Sequence, residues 1–252
     1  MRALKTVVNN KTLYGGFILL LFWYILHLTV SSSAIPSPYV TVLNFIDIFP
    51  STLSIHLLVS LGRISAAILI SLLFGTLIGL WIGISKKADE FITPIVYILY
   101  PLPKIAFLPI LMILFGLGNT PKIVLIVMII IFQIILAARD GVQEIQKELF
   151  YSVISLGLTN LEIYRHLILP AVLPKIITAL RISVGVSISV LFFGENFATT
   201  YGIGYFIMNS WMMVNYVEMF SGILALSIMG LLIFKLIDIL ENKLCRWIKI
   251  GK

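Results

Sequence analysis

The residues of this chain that could do chemistry are few and lie far apart. The histidines His27, His56 and His166 are too dispersed for a local metal-ligand motif, and no H-E-x-x-H sequence occurs. A G-x4-G-K-[S/T] phosphate loop is also absent, so the chain has no ATP site of its own. Cys245 is the sole cysteine, which excludes an intrachain disulfide. We therefore expect no catalysis, no metal and no cofactor bound by this chain.

A second set of polar residues lies inside or beside long apolar runs. It comprises Gln133, Ser183, Ser187, Ser189, Glu195, Asn196, Thr199 and Thr200. Hydrocarbon offers such groups no hydrogen bonds, so they are expected to face a partner helix or a cavity. The serines can instead bond the carbonyl one turn back, which favours a structural role for them. Glu195 is ionisable, so both structural pairing and a role in a polar pathway stay open for it.

The elements that carry these residues are membrane helices by composition. Apolar residues make up 60% of the 252 residues, against 18 basic and 11 acidic ones. A soluble domain needs about twice this charged fraction. The net charge of +7 is spread between apolar runs, which indicates membrane topology and no nucleic-acid partner. We expect one all-α domain, residues 1–252, in a lipid bilayer.

Apolar runs predict about six transmembrane helices. The runs are 13–30, 57–85, 91–116, 123–138, 182–198 and 219–240. The first resembles a cleavable signal peptide, but it is longer than the usual signal core of about 7–15 residues. We expect it to be retained as a membrane anchor.

Basic residues predict the orientation. With the amino terminus inside, every basic residue except Arg63, Lys104 and Lys122 falls in a cytoplasmic segment, and segment 31–56 contains none. The positive-inside rule then places both termini in the cytoplasm. Arg63 and Lys122 lie near outer helix ends, where we expect their side chains to reach the headgroups. Lys104 follows two prolines, so we expect a broken third run with Lys104 at the interface; a functional intramembrane cation is the alternative.

Gly75, Gly79 and Gly83 recur every fourth residue in the second run. This spacing places them on one helix face, where the lack of side chains lets another helix approach closely. We expect a helix-packing surface, either within the chain or between two copies.

The segment 139–181 is far longer than a helical hairpin turn requires. Its apolar residues recur at spacings of three and four, which predicts one amphipathic helix. These residues are Val142, Ile145, Leu149, Val153 and Leu156. A helix pair lying on the lipid headgroups is one interpretation of this pattern.

Gly157 follows the last of these apolar residues and is expected to end the helix with a positive φ. Thr159 and Glu162 form a T-x-x-E capping box that begins a second short helix. Pro170 and Pro174 are expected to break that helix. The segment should therefore fold as helix, glycine turn, helix and proline stop.

The same segment resembles a known signature. Gly157, followed after nine residues by Leu167-Ile-Leu-Pro170, resembles the E-A-A-x3-G-x9-I-x-L-P pattern of permease subunits from ABC importers. Gly157, Leu169 and Pro170 match it, whereas Tyr151-Ser-Val153 replaces the name-giving triplet. Further motifs, within about 57–240, look like the sulfonate/taurine/nitrate-type branch. They are Pro101-Leu-Pro-Lys-Ile-Ala-Phe-Leu-Pro109, Phe115-Gly-Leu-Gly118, Leu169-Pro-Ala-Val-Leu-Pro174, Gly194-Glu195 and Tyr201-Gly-Ile-Gly204.

This resemblance implies a type I ABC importer permease fold in the inner (cytoplasmic) membrane, working as a homodimer. It further implies two separate ATPase subunits that carry ATP and magnesium, and an external binding protein that delivers a small, anionic solute. The 139–181 loop would insert a coupling helix into each ATPase. The residues expected to couple are Leu156, Gly157, Leu158, Leu161, Leu169 and Pro170. The pathway or gate candidates are Gln133, Ser187, Glu195 and Asn196.

Two other classes of function are weighed against this one. An ion-coupled secondary transporter needs acidic residues or histidines at mid-membrane near broken helices, and only Glu195 and Lys104 approach that requirement. A membrane-embedded enzyme needs a ligand cluster or a nucleophile beside a base, and the sequence has no such set.

Overall fold

Residues 11–249 are described by a computed structural model, and all regular structure in that range is helical. The α-helices are α1 (Lys11–Val30), α2 (Pro38–Ile48), α3 (Ser54–Ile84), α4 (Lys86–Leu99), α5 (Leu108–Phe115), α6 (Asn119–Gln143), α7 (Lys147–Ser155), α8 (Asn160–Ile163), α9 (Leu169–Gly194), α10 (Ile203–Met212) and α11 (Tyr216–Leu244). Short 3-10 turns occupy Lys104–Phe107 and Arg246–Lys249, and π-helical turns occupy Phe49–Leu53 and Tyr164–Ile168.

The long helices agree with the predicted all-α membrane fold, but the described residues contain four membrane-spanning stretches, or up to five if the bent pair is one span, instead of about six. Four continuous stretches are long and apolar enough to cross a bilayer, namely 38–84, 119–143, 160–194 and 216–244. The predicted third run is broken, because α4 and the stretch 104–115 meet at a bend of 83°. The first predicted run coincides with α1, which is apolar over Tyr14–Val30. The terminal segments 1–10 and 250–252, which carry part of the orientation argument, lie outside the described residues.

Segment 31–56, interpreted from sequence as an external loop, contains a helix. Ser37 caps α2 by accepting a hydrogen bond from Val40 N at 3.3 Å, and Pro38 occupies the first turn, where no N–H partner is needed. Because the π-helical turn 49–53 joins α2 to α3, the second apolar run begins well before residue 57.

The single amphipathic helix predicted over 142–156 is wrong, because it is two helices. Val142 belongs to α6 and is buried in the core. Glu144 ends α6 through its backbone N–H bond to Asp140 O at 3.1 Å. Gln146 is extended, with φ −60° and ψ 136°, and α7 begins after it. The spacing of apolar residues continued across this break and concealed it.

The predicted proline stop is also wrong. Pro170 lies in the first turn of α9, where a missing N–H costs no hydrogen bond, and Pro174 lies inside the helix. The helix continues past Pro174 because Val172, Ile176 and Ile177 are buried in the main core. Burial of that face outweighs the one hydrogen bond lost.

The core is built around the contact between α3 and α6, which the glycine face makes close. A Cβ atom added at Gly79 would lie 2.5 Å from Ile135 O and 2.6 Å from the Cβ of Ala138. Gly75 faces Ile134 and Gly83 faces Val142 in the same way. The glycine face therefore packs within the chain, and the two helices are in close contact over a little more than two helical turns.

We predict that Gly79→Ala destabilises the protein by about 1–3 kcal/mol, because the added methyl group must push the two backbones apart. Gly62→Ala is the matched control, since no atom lies within 4 Å of a Cβ at Gly62 on the same helix. Thermal unfolding of the purified protein in nanodiscs measures both. Equal unfolding temperatures for the two variants would contradict this account of the α3–α6 contact.

Candidate functional site

Glu195 lies at the carboxyl end of α9 and is 0% exposed. Its carboxylate accepts hydrogen bonds from Arg63 Nη1 at 2.5 Å, Ser60 Oγ at 2.7 Å and Gly204 N at 2.8 Å. Ser60 in turn accepts Ile203 N at 2.8 Å. A buried carboxylate of this kind is tolerable only because its oxygens are satisfied by donors and by a cation.

Arg63 extends this network to α6. Its Nε and Nη2 donate to Asn119 Oδ1 at 2.9 and 2.8 Å, and Nη2 also donates to Thr199 at 3.1 Å. Lys122 lies alongside and donates to the carbonyls of Gly118 and Ala198. We call the residues Ser60, Arg63, Asn119, Lys122, Glu195 and Thr199 the Glu195 cluster.

The prediction that Arg63 and Lys122 reach the headgroups is wrong. Their exposed fractions are 4% and 1%, because both side chains turn inward to the Glu195 cluster. Arg63 pairs with the Glu195 carboxylate. For a side chain well inside α3, this carboxylate is a stronger partner than the lipid headgroups.

The Tyr201-Gly-Ile-Gly204 motif is explained by its approach to Glu195. A Cβ at Gly202, where φ is +146°, would lie 2.5 Å from Glu195 Cδ and 2.7 Å from Arg63 Nη1. A Cβ at Gly204 would lie 2.5 Å from Phe192 O. Both glycines are thus needed for the backbone to reach the carboxylate.

A cavity of about 620 Å³ opens beside this cluster, and we call it the Arg63 cavity. Its polar lining comes from Arg63, Asn119, Thr199 and Thr200. Arg63 supplies the charged side chain of this lining, and its Nη1 is paired with Glu195. A guanidinium group in the cavity wall favours an anionic group over a cationic one.

Of the remaining pathway candidates, Gln133 and Ser187 lie apart from Glu195, and Asn196 is its chain neighbour. Gln133 is halfway along α6, where its Oε1 accepts the hydroxyl of Ser183 at 2.5 Å, and Ser183 also bonds Ala179 O one turn back. Ser187 is fully buried, and its hydroxyl has no hydrogen-bond partner among the described residues. Asn196 is half-buried beside Glu195, and its Oδ1 accepts no hydrogen bond from any residue that the structure describes. The structure does not bring the four candidates into one site.

The opposite end of the molecule carries the glycine turn. Gly157 has φ +76°, and Leu158 N closes the turn on Val153 O at 3.3 Å. The capping box is confirmed, since Thr159 N donates to Glu162 at 2.8 Å and Glu162 N to Thr159 Oγ1 at 3.5 Å. Local sequence signals suffice here because both motifs bond only near neighbours.

Leu156 and Leu161, on either side of this turn, are 76% and 79% exposed. Leu158 is half-buried between them, and Leu169 and Pro170 begin α9 with partial exposure. This end also carries ion pairs that sequence reasoning did not find. Arg139 bonds Asp89 at 2.6 Å, and Arg181 bonds Asp238 and Glu241 at 2.7 and 2.6 Å.

Comparison with known proteins identifies the family. A family model described as binding-protein-dependent transport system inner membrane component matches residues 71–250. The chain belongs to this family. It is an ABC importer permease, which decides against the ion-coupled secondary transporter and the membrane enzyme.

Curated relatives place the permease in the branch that its motifs resemble. It is 33% identical over 197 residues to the taurine transport system permease protein of Escherichia coli (strain K12), covering 78% of this chain and 72% of that protein. It is 29% identical to the putative aliphatic sulfonates transport permease protein of Bacillus subtilis (strain 168), covering 86% and 79%. A solved structure of the MetNI methionine ABC transporter, inward-facing, shares the fold with a TM-score of 0.58 at 22% identity, covering 73% of this chain and 94% of its own.

Within the permease, sequence reasoning identified Glu195 but not its partners. Arg63 and Glu195 are 132 residues apart, so no local pattern connects them. The sequence did contain one usable signal. Arg63 and Glu195 each lie in an apolar run near the same membrane face, and opposite charges in that position favour pairing.

We predict that Glu195→Gln destabilises the permease by about 3–5 kcal/mol, because it leaves the Arg63 charge buried without a counter-ion. The double variant Arg63→Met with Glu195→Gln should be more stable than Glu195→Gln alone. Glu90→Gln is the matched control, since it breaks the exposed pair with Lys86 at 4.0 Å and should change stability little. Unfolding temperatures in nanodiscs would contradict the assignment if Glu195→Gln matched the control.

Proposed function

We propose that this permease imports a small solute that carries an anionic group, with a sulfonate such as taurine as the best-supported class. The proposal is supported by the relatives, which are described for taurine and aliphatic sulfonates. Arg63, the charged side chain that lines the Arg63 cavity, is a cation and favours an anionic group on the solute. In the proposed cycle, an external binding protein delivers the solute to that end of the permease.

The observation that carries the transport mechanism is the exposed apolar surface around Gly157. Leaving Leu156 and Leu161 in water costs roughly 1.5–3 kcal/mol for each side chain relative to burying it. A docking partner removes that cost. We propose that the partner is a separate ATPase subunit, and that Leu156, Gly157, Leu158 and Leu161 form the coupling element.

The assembly that follows from this proposal has two copies of the permease and two ATPase subunits. ATP binding draws the ATPase subunits together, and each coupling element moves with the subunit that it contacts. The 35-residue stretch 160–194 connects that element to Glu195 without a helix break. Movement at one membrane face is thereby transmitted to the Arg63 cavity, which opens and closes in alternation with the opposite face.

The function is tested with the complete transporter in proteoliposomes: permease, ATPase and binding protein encoded together. We expect uptake of ³⁵S-labelled taurine or ethanesulfonate that requires ATP and the binding protein. Uptake without ATP, or copurification of an active permease free of ATPase, would contradict the proposal.

The coupling assignment predicts a graded loss of uptake at Gly157. A Cβ at this position has open space within 4 Å, so substitution acts through the positive φ alone. Gly157→Val should reduce uptake more than Gly157→Ala, because a β-branched residue resists positive φ more strongly. Gly62→Val, on a helical glycine with equally open space, is the control. Parental uptake and ATPase binding in both Gly157 variants would refute the coupling role.

We propose that both termini and the Gly157 end face the cytoplasm of a cell whose inner membrane holds the permease. The basic residues at the Gly157 end support this orientation through the positive-inside rule. In a Cys245→Ser background, a membrane-impermeant maleimide applied to intact spheroplasts should label Tyr39→Cys and not Lys147→Cys. Tyr39 is well exposed and lies in the segment free of basic residues. The reverse labelling pattern would overturn the orientation.

A further inference from the structure

Lys104 lies at the break between α4 and α5. Pro101 and Pro103 end the first helix, and Lys104 begins the 3-10 turn that leads into α5 after the 83° bend. The side chain is half-buried, and its ammonium group donates to Tyr100 O. The break thus holds a lysine whose charge points back into the protein.

The depth of this charge follows from its neighbour on α6. Lys104 Nζ lies 5.5 Å from the centre of the Phe132 ring. Phe132 stands 13 residues after Asn119 and 11 before Gln143, or about 20 Å and 17 Å from the two ends of α6. With α6 centred in a hydrocarbon core about 30 Å thick, Lys104 would lie near the middle, deeper than the interface expected from sequence.

No carboxylate among the described residues lies within 4 Å of Lys104, in contrast to Arg63, Arg139 and Arg181. Its partners are one carbonyl and the faces of the Tyr100 and Phe132 rings, at 5.3 and 5.5 Å. These contacts hold the ammonium group in place without neutralising it. A cation at this depth needs a cavity and a countercharge.

The cavity is present. It has a volume of about 300 Å³, roughly that of ten water molecules, and we call it the Lys104 cavity. Tyr100, Lys104, Ile129, Gln133, Val186 and Val190 line it. Gln133 accepts the Ser183 hydroxyl through Oε1, which leaves its amide N–H groups as donors on a residue that lines the same cavity as Lys104.

An apolar cavity lies between the Lys104 cavity and the Arg63 cavity. It has a volume of about 670 Å³, shares Ile105 with the Lys104 cavity and shares Leu117 with the Arg63 cavity. The three cavities are therefore neighbours in a row from the Asn119 end of α6 to its midpoint. In the import cycle proposed above, a solute moving inward from the Glu195 cluster would follow this row.

We propose that Lys104 and Gln133 form an anion subsite halfway through the permease, where the sulfonate group of the solute supplies the countercharge that the protein lacks. The proposal rests on the importer function proposed above. One ammonium group and one amide bind an anion more weakly than a pair of arginines, so the subsite holds the solute in transit and then releases it.

The test measures solute transported per ATP hydrolysed by the complete transporter in proteoliposomes, with ³⁵S-taurine and ethanesulfonate as probes. Lys104→Met should lower this ratio about tenfold, the size expected when a charge-assisted hydrogen bond is lost. Lys104→Arg should retain most of it because the charge remains. Lys86→Met is the matched control, since it removes the same charge from an exposed position at the start of α4.

A parental ratio in Lys104→Met would overturn the subsite while leaving the importer function intact. Absence of ATP-dependent sulfonate uptake in the parental transporter would count against the proposed function itself and, with it, the subsite. If Lys104→Met fails to assemble, Gln133→Met decides instead. Its ratio should fall several-fold, and a parental ratio in that variant would overturn the subsite.

Discussion

The arrangement of this permease depends on the satisfaction of one carboxylate that has no access to water. Glu195 draws Arg63 and Ser60 from α3 and a backbone N–H from Gly204, while Arg63 reaches Asn119 at the start of α6. Four segments are thereby fixed at one membrane face. At the other face, α3 and α6 are fixed by backbone contact at the glycines. The Glu195 cluster and the glycine face therefore hold α3 and α6 together at opposite ends, the first through charged hydrogen bonds and the second through close backbone packing.

The parts of this structure that sequence could predict are those determined by near neighbours. The Gly157 turn and the Thr159 capping box bond residues within a few positions, and the glycine face follows from helical periodicity alone. The pairing of Arg63 with Glu195 depends on how distant helices come together, which no local pattern records. Pro174 was misjudged for the related reason that burial of the surrounding helix face outweighs a local preference.

The candidate site was predicted in pieces for the same reason. Glu195 and Gln133 were both identified as polar residues in apolar surroundings, yet one stabilises a helix junction and the other lines a cavity half a membrane away. A polar side chain inside an apolar run was the signal for both residues, and that signal does not separate the two roles. The structure separates them by their hydrogen bonds. The Glu195 carboxylate has all its partners within the protein, whereas Gln133 uses only its Oε1.

An importer that opens alternately to both sides must also keep the membrane insulated. Sodium, potassium and protons would all follow a water-filled route across the bilayer if nothing opposed them, and the cell's ion gradients would be dissipated. A fixed ammonium group at the inner end of the row of cavities, with no acid beside it among the described residues, repels such cations at the point where water screens charge least. Lys104 would therefore act as an electrostatic seal for the membrane potential whenever no solute is bound.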